Sequence, residues 1–220
     1  MASPPPSDAR RWQAFLFDMD GTLITSTAAA ERVWSRWAER HGLDVAAFIP
    51  TIHGVRAADT IRKQNLPDID LAAEVAWVER GEIEDLEGVA PIPGAIDFVK
   101  RLPPDRWAVV TSATVPLAEA RLRAAGVTPP SLMITAEQVE RGKPDPAGYR
   151  LAAERLGFDI ADCLVFEDAE AGIQAGEASG AGVVVVTAGW IHPLQTDHPK
   201  LADYAEATLE VAADGLRFSL

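Results

Sequence analysis

Asp18 and Asp20 stand one residue apart in Asp18-Met19-Asp20-Gly21-Thr22, directly after the apolar run Ala14-Phe15-Leu16-Phe17. Gly21 lets the backbone turn away after them, so both carboxylates can be aimed at one point. One can attack an electrophile while the other moves protons. Alone, the motif equally describes a turn with two solvated acids. Three further polar stations follow: Thr111-Ser112, Lys143 within Arg141-Gly142-Lys143-Pro144, and Glu167-Asp168. If they converge, one site holds several carboxylates, two hydroxyls and an ammonium. Clustered carboxylates raise one another's pKa unless a cation lies among them. Hard oxygen ligands that leave room for water suit Mg²⁺. A phosphate fits what remains: Mg²⁺ takes one oxygen, Lys143 another, and Thr111 or Ser112 donates to a third.

Residues 14–17 read as a short buried strand cut off by acids and a glycine, and ligands bind at the carboxyl ends of parallel strands. From 28 to 41, Val33, Trp34, Trp37, Ala38 and His41 recur at helical spacing, and Gly42 closes the run. Residues 45–52 and 57–63 continue the helical pattern, separated by the polar loop His53-Gly54-Val55-Arg56. Residues 71–87 are helical again, with Leu71, Val75 and Val78 on one face. No strand alternation appears between 25 and 89, and Pro91-Ile92-Pro93-Gly94 ends this helical block. Beyond it, helices (95–102, 116–125, 169–179) alternate with strands (107–110, 132–134, 163–166, 183–186). Asp145, Pro146 and Gly157 mark the ends of one more helix, and a weak strand falls at 208–211. The alternation predicts an α/β fold: a Rossmann-like parallel sheet core with an all-helical cap inserted after strand one. The core takes 12–24 and 92–220, the cap 25–91, and 1–11 form a disordered tail.

With 220 residues and 48% hydrophobic side chains, the chain can bury a full core. A net charge of −13 and a pI near 4.7 argue against nucleic acid or an anionic membrane as partner. The expected partner is a small phosphorylated metabolite, which needs only local positive charge. No protein partner is implied. The single cysteine, Cys163, sits in an apolar run, excludes an internal disulfide and fits a reducing compartment, the cytoplasm. No apolar run is long enough to span a bilayer, and the Pro4-Pro5-Pro6 segment is neither a signal peptide nor an anchor.

Taken together and in this order, the four stations resemble the haloacid dehalogenase superfamily, in its sugar-phosphatase and β-phosphoglucomutase-like branch. The residues that carry the resemblance are Asp18 to Leu23, Val110-Thr111-Ser112, Lys143-Pro144-Asp145-Pro146 and Phe166-Glu167-Asp168-Ala169 with Gly172. It extends from Trp12 to about Val186, and the helical insert is similar to that branch's cap. The resemblance implies that Asp18 is a nucleophile that becomes an aspartyl-phosphate. Asp20 would be the acid to the leaving alcohol and then the base for water. It implies phosphate contacts from Thr111, with Ser112 beside it, and from Lys143. It implies Mg²⁺ held by Asp18, the Asp20 carbonyl and Asp168, with Glu167 as ligand or in support. Many relatives carry an acid where Thr25 stands, at the hinge into the cap.

The remaining signals are local. Trp34 and Trp37 read as cap core. His53 and Arg56 flank a glycine in a polar loop and read as substrate contacts. His192 and His198 lie near prolines and read as surface, and the acidic run 82–87 reads as a solvated helix face. Three functions remain: a Mg²⁺-dependent phosphatase, a phosphomutase using the same intermediate, and a binding module that has kept the fold. Asp20 opposes both dehalogenase chemistry and a decayed site. No clear cap lysine of the kind the resembled mutases use is visible, which favours the phosphatase. The expected substrate is a small phosphorylated sugar or polyol, such as a hexose 6-phosphate or glycerol 3-phosphate. Phosphoglycolate and a β-phosphoglucomutase-like reaction are the alternatives.

Overall fold

Strand β1 (Arg11–Trp12) leads into β2 (Ala14–Phe17), the apolar run that ends at Asp18. The structure, a computed structural model, describes residues 10–190 and 194–220. Residues 1–9 of the expected tail, and His192, lie outside the described residues. Arg11, assigned to that tail, instead pairs as a strand residue with Arg217.

After β2 the chain crosses into the helical insert through β3 (Ile24–Thr25). Four helices follow: α1 (Thr27–Arg40), α2 (Val45–Phe48), α3 (Ala57–Lys63) and α4 (Leu71–Glu84). The chain returns along β4 (Ala90–Pro91), which pairs antiparallel with β3, so both crossings run side by side as one narrow ribbon. The sequence reading, which saw only helix here, missed this ribbon. Two-residue strands carry no visible alternation. The insert buries its own core of Val33, Trp34, Trp37, Phe48, Ile61 and Val78. This follows from the apolar stripes of α1 and α4. Asp70 caps α4 by accepting from Ala73 N–H at 3.1 Å.

The rest of the chain alternates helix and strand: α5 (Ala95–Lys100), β5 (Trp107–Val110), α6 (Val115–Ala124), β6 (Met133–Ile134), α7 (Ala147–Leu156), β7 (Cys163–Glu167), α8 (Glu170–Ser179) and β8 (Gly182–Val186). It ends with β9 (Lys200–Leu201), β10 (Thr208–Ala212) and β11 (Gly215–Ser219). The main sheet is parallel throughout, in the order β6-β5-β2-β7-β8-β9. Both its faces are covered, and the period-two pleat divides β2 between them. Phe15 and Phe17 join Phe98, Trp107, Phe166 and Phe218 on one side. Ala14 and Leu16 join Tyr149, Ala152 and Ile173 on the other. Phe17 and Phe166 stack at 4.6 Å between ring centroids, so the two central strands are locked together just below their carboxyl ends.

Strand β11 was not visible in the sequence reading. It forms a hairpin with β10 across Ala213-Asp214 and pairs with β1 on its other side. Leu216 and Phe218 reach the core while Arg217 points away. The dipeptide Asp214-Gly215, which straddles the end of the turn and the first residue of β11, is the signal that would have found it. Among the described residues, no helix is long and apolar enough to cross a membrane.

Candidate active site

Four strands of the main sheet end at one place. Asp18 follows β2, Thr111 follows β5, Asp168 follows β7, and Lys143 lies in the loop between β6 and α7. Because β6, β5, β2 and β7 are parallel neighbours, the residues just past their ends must be adjacent. Backbone bonds hold that register: Asp18 N–H donates to Phe166 O at 2.9 Å, and Thr111 N–H to Ile134 O at 2.9 Å.

Lys143 is the hub. Its ammonium donates to Asp18 Oδ1, to Val110 O at 3.0 Å and to Glu167 Oε1, which lies 2.6 Å away. Burial alone would pull the ammonium down, but Asp18 and Glu167 hold it well above the usual lysine value, so it stays charged. Glu167 is fully buried and also accepts from the Tyr149 hydroxyl at 2.6 Å and from Asp168 N–H at 3.1 Å. With those oxygens engaged, Glu167 orients the lysine from below. Burial, and then the charge of Glu167, pushes the Tyr149 phenol up, so it remains a donor.

Asp18, Glu167 and Asp168 each offer a carboxylate oxygen, all within 4.8 Å of one another. Gly21 turns here with φ +82°, and a Cβ on it would stand 1.9 Å from Asp168 Oδ2. Among the described residues, the only side chain bonded to the Asp168 carboxylate is the Thr22 hydroxyl, at 3.4 Å. Burial, followed by the charges of Asp18 and Glu167, holds Asp168 well above the usual carboxylate range. Burial raises Asp18 as well, against the pull of Lys143. A buried carboxylate set with one shared ammonium is short of positive charge. A hard divalent cation bound through oxygen fits that deficit.

Asp20 points differently. Its Oδ1 accepts from Ser26 Oγ at 2.5 Å and from Arg121 on α6 at 3.0 Å. Ser26 stands at the N-cap of α1, yet its hydroxyl bonds Asp20 rather than the helix. Arg121 also reaches Glu82 on α4 at 3.0 Å, joining the core to the insert. Glu82 is buried, a correction to the reading of 82–87 as a solvated face. Sequence reasoning missed both residues. The signal was present: Arg121 falls one turn after Leu117 on a stripe shared with Ala118 and Leu122, so a charge there demands a partner. Glu82 likewise follows Val78 by one turn.

Above the strand ends lies a cavity of about 320 Å³, bounded by Asp18, Thr111 and Asp168 below and by residues of the insert above. Ser112, His53 and Arg56 line it. Ser112 Oγ donates to Gly54 O at 2.9 Å, fastening the insert's polar loop to the core. Arg56 pairs with Asp59 at 2.7 Å and donates to the carbonyls of Val139 and Glu140. His53 sits 3.3 Å from Glu31, and burial lowers its pKa against the pull of that acid. Trp34 and Trp37 lie in the insert's core, although Trp34 also reaches the cavity wall. His198 pairs with Glu177 at 2.6 Å on the surface of α8.

A parallel sheet carrying acids, a lysine and a hydroxyl on adjacent strand ends, beneath a helical insert, defines an α/β protein with a carboxylate-and-lysine centre at its strand ends. The chain belongs to the haloacid dehalogenase-like hydrolase family, whose model matches residues 12–180. It is 43% identical to hexitol phosphatase A of Escherichia coli (strain K12) over 182 residues, 81% of this chain and 84% of that protein. It is 34% identical to 2-deoxyglucose-6-phosphate phosphatase 1 of Saccharomyces cerevisiae over 198 residues, 80% of each. A hydrolase from Pseudomonas syringae shares the fold with a TM-score of 0.73, over 82% of this chain and 87% of that one, at 24% identity.

Proposed function

We propose that this protein is a Mg²⁺-dependent phosphatase for a small phosphorylated sugar or polyol, acting through an aspartyl-phosphate on Asp18 beneath a cap formed by 25–91. The observation that carries the reading is the buried Lys143, shared by Asp18 and Glu167 at the floor of the cavity. It supports the one-anion site that a phosphoryl group needs in a chain of net charge −13. The 43% identity to a hexitol phosphatase points to the same leaving-group class.

In this reading Lys143 and the Thr111 hydroxyl hold the phosphoryl oxygens together with the backbone N–H of Ser112, whose hydroxyl proton goes to Gly54 O. A carboxylate oxygen of Asp18 forms a bond to phosphorus as the ester P–O bond breaks, and Asp20 gives its proton to the departing alkoxide. Asp20, now a base, takes a proton from water. The water oxygen bonds to phosphorus, and the Asp18 acyl-phosphate P–O bond breaks, releasing inorganic phosphate. His53 and Arg56 face the leaving group. Asp18, Asp168 and the Asp20 carbonyl would hold Mg²⁺, with Glu167 in support, and the ion would offset the charge between phosphate and carboxylates. A phosphomutase needs a place for a second phosphate, but the insert's only lysine, Lys63, is exposed.

The test is phosphate release from a panel of sugar and polyol phosphates, with Mg²⁺ or with excess chelator. Asp18→Asn should fold and release phosphate only at background. Near-parental turnover by folded Asp18→Asn, or an isomerised sugar phosphate in place of free phosphate, would refute the reading.

A further inference from the structure

We propose that the cavity selects an uncharged leaving group, with Glu79 on α4 as the residue that turns away a second anion; this rests on the phosphatase reading above. The cavity that meets Asp18 and Thr111 is also lined by Glu79, Glu82, Glu137 and Glu140. Arg56, Arg62 and Arg121 line it too, and each already faces a carboxylate. Arg56 and Arg62 share Asp59, at 2.7 and 3.0 Å. Arg121 stands between Asp20 and Glu82, 3.0 Å from each. Glu79 has no cation beside it among the described residues, and its Oε1 accepts from the Thr114 hydroxyl. Glu137 accepts from Val115 N–H at 2.9 Å and, like Glu140, makes no ion pair among the described residues.

An ester with its phosphoryl group at Asp18 therefore projects its other end toward carboxylates that have no counter-charge. Hydroxyl groups suit that wall, because a carboxylate accepts their hydrogen bonds and donates none. A carboxylate or second phosphate does not, because it enters a partly desolvated cleft whose lining carboxylates outnumber its arginines, and the one guanidinium in excess at Asp59 is the solvent-exposed Arg62. Glu79 is the clearest determinant. Its charge is neither neutralised nor needed to balance a buried arginine, whereas Glu82 is tied to Arg121.

Sorbitol 6-phosphate and 6-phosphogluconate have the same carbon chain and the same primary phosphate ester, and differ at C1 by a hydroxymethyl against a carboxylate. The parent protein should prefer sorbitol 6-phosphate in kcat/KM by about 100-fold. Glu79→Gln keeps an oxygen for Thr114 while removing the charge, and should shrink the ratio about tenfold, with Glu79→Lys shrinking it further. Phenyl phosphate and 4-carboxyphenyl phosphate put the same charge question without hydroxyls. If sorbitol 6-phosphate turns over no better than phenyl phosphate, the polyol reading fails, and the aryl pair still decides the charge selection. A parent ratio within about threefold of one in both pairs overturns the proposal. So does a large ratio that neither Glu79→Gln nor Glu79→Lys moves.

Discussion

Arg121 offers the sharpest test of how the insert is fastened to the core. Its guanidinium and the Glu82 carboxylate are 5% and 7% exposed and 3.0 Å apart, which places this pair in the buried regime. Its other partner, Asp20, is 30% exposed and still meets water. Arg121→Met leaves Glu82 buried with no cation, beside the charge of Asp20. Removing one partner of a buried pair costs about 3–5 kcal/mol. The half-solvated Asp20 contact adds at most about 1 kcal/mol. Burial, opposed by Arg121, already holds Glu82 above the usual range, so protonation offers it a partial escape that keeps the loss near the lower bound. The expected loss of about 3 kcal/mol corresponds to a fall in Tm on the order of 10 °C for a chain of this size. Glu82→Gln should cost clearly less, because Arg121 keeps Asp20. Arg121→Met combined with Glu82→Leu should recover at least about 2 kcal/mol over Arg121→Met alone, since a buried pair exchanged for apolar side chains is often neutral. Urea unfolding followed by tryptophan fluorescence reads all four proteins. If Arg121→Met lies within about 1 kcal/mol of the parent, or the double variant is no more stable than the single, Arg121 and Glu82 do not form the coupled buried pair described here.

Gly172 faces the Glu167 carboxylate so closely that a Cβ would lie 1.8 Å from Oε1. Gly172→Ala should displace Glu167 and with it Lys143, costing about 1–3 kcal/mol in urea unfolding and roughly 100-fold in kcat. The metal-free protein should lose stability as pH rises. Burial and mutual repulsion hold Asp18 and Asp168 above their unfolded values, so the folded state binds more protons, and that contribution fades as pH passes upward through the raised values. Mg²⁺ competes with those protons, so its stabilisation, about 2.7 kcal/mol at a hundredfold excess over Kd, should grow between about pH 5 and about pH 8 in melting curves. A Mg²⁺ effect that is absent, or larger at the acid end, would count against this ligand set.

Much of this structure was open to reading because the chain repeats simple signals at the right periods. The run Ala14–Phe17 is apolar on both faces, as only a doubly covered strand needs to be, and its end locates Asp18. Gly157 stops α7 where the sequence placed its end, and α8 ends at Ser179 as its pattern indicated. What stayed hidden depends on contacts between distant segments. The β3–β4 ribbon joins residues about 65 positions apart and is too short for any periodicity. That Arg121, Glu82 and Asp20 meet becomes visible only when α4 and α6 are packed together, because a single sequence does not say which charges share an interior. Glu167 is a similar case. Its place beside Asp168 suggested a metal ligand or a supporting acid, and the contacts it makes with Lys143 and Tyr149 come from the β6–α7 loop and α7, which adjacency to Asp168 does not reveal.

The separation of the two cores has a functional consequence. The groups that would meet the phosphoryl oxygens in the proposed mechanism lie at the strand ends of a single sheet, and their register is fixed by β2, β5 and β7. The wall above them comes from an insert with its own hydrophobic centre around Trp34, Trp37 and Phe48. A change in that wall, such as the loss of charge at Glu79, therefore need not disturb Asp18 or Lys143. A few polar contacts span the divide: Ser112 to Gly54, Thr114 to Glu79, Arg56 to the carbonyls before Lys143, and Arg121 to Glu82. Of these, the Arg121 contact also touches Asp20, the residue that handles the leaving-group proton in the proposed mechanism, and Ser26 at the start of the insert reaches the same carboxylate. Positioning of the insert and positioning of the acid thus share one buried guanidinium. Variants that loosen the insert at Arg121 should also slow esters of poor leaving groups more than esters of good ones, whereas loosening it at Thr114 should not.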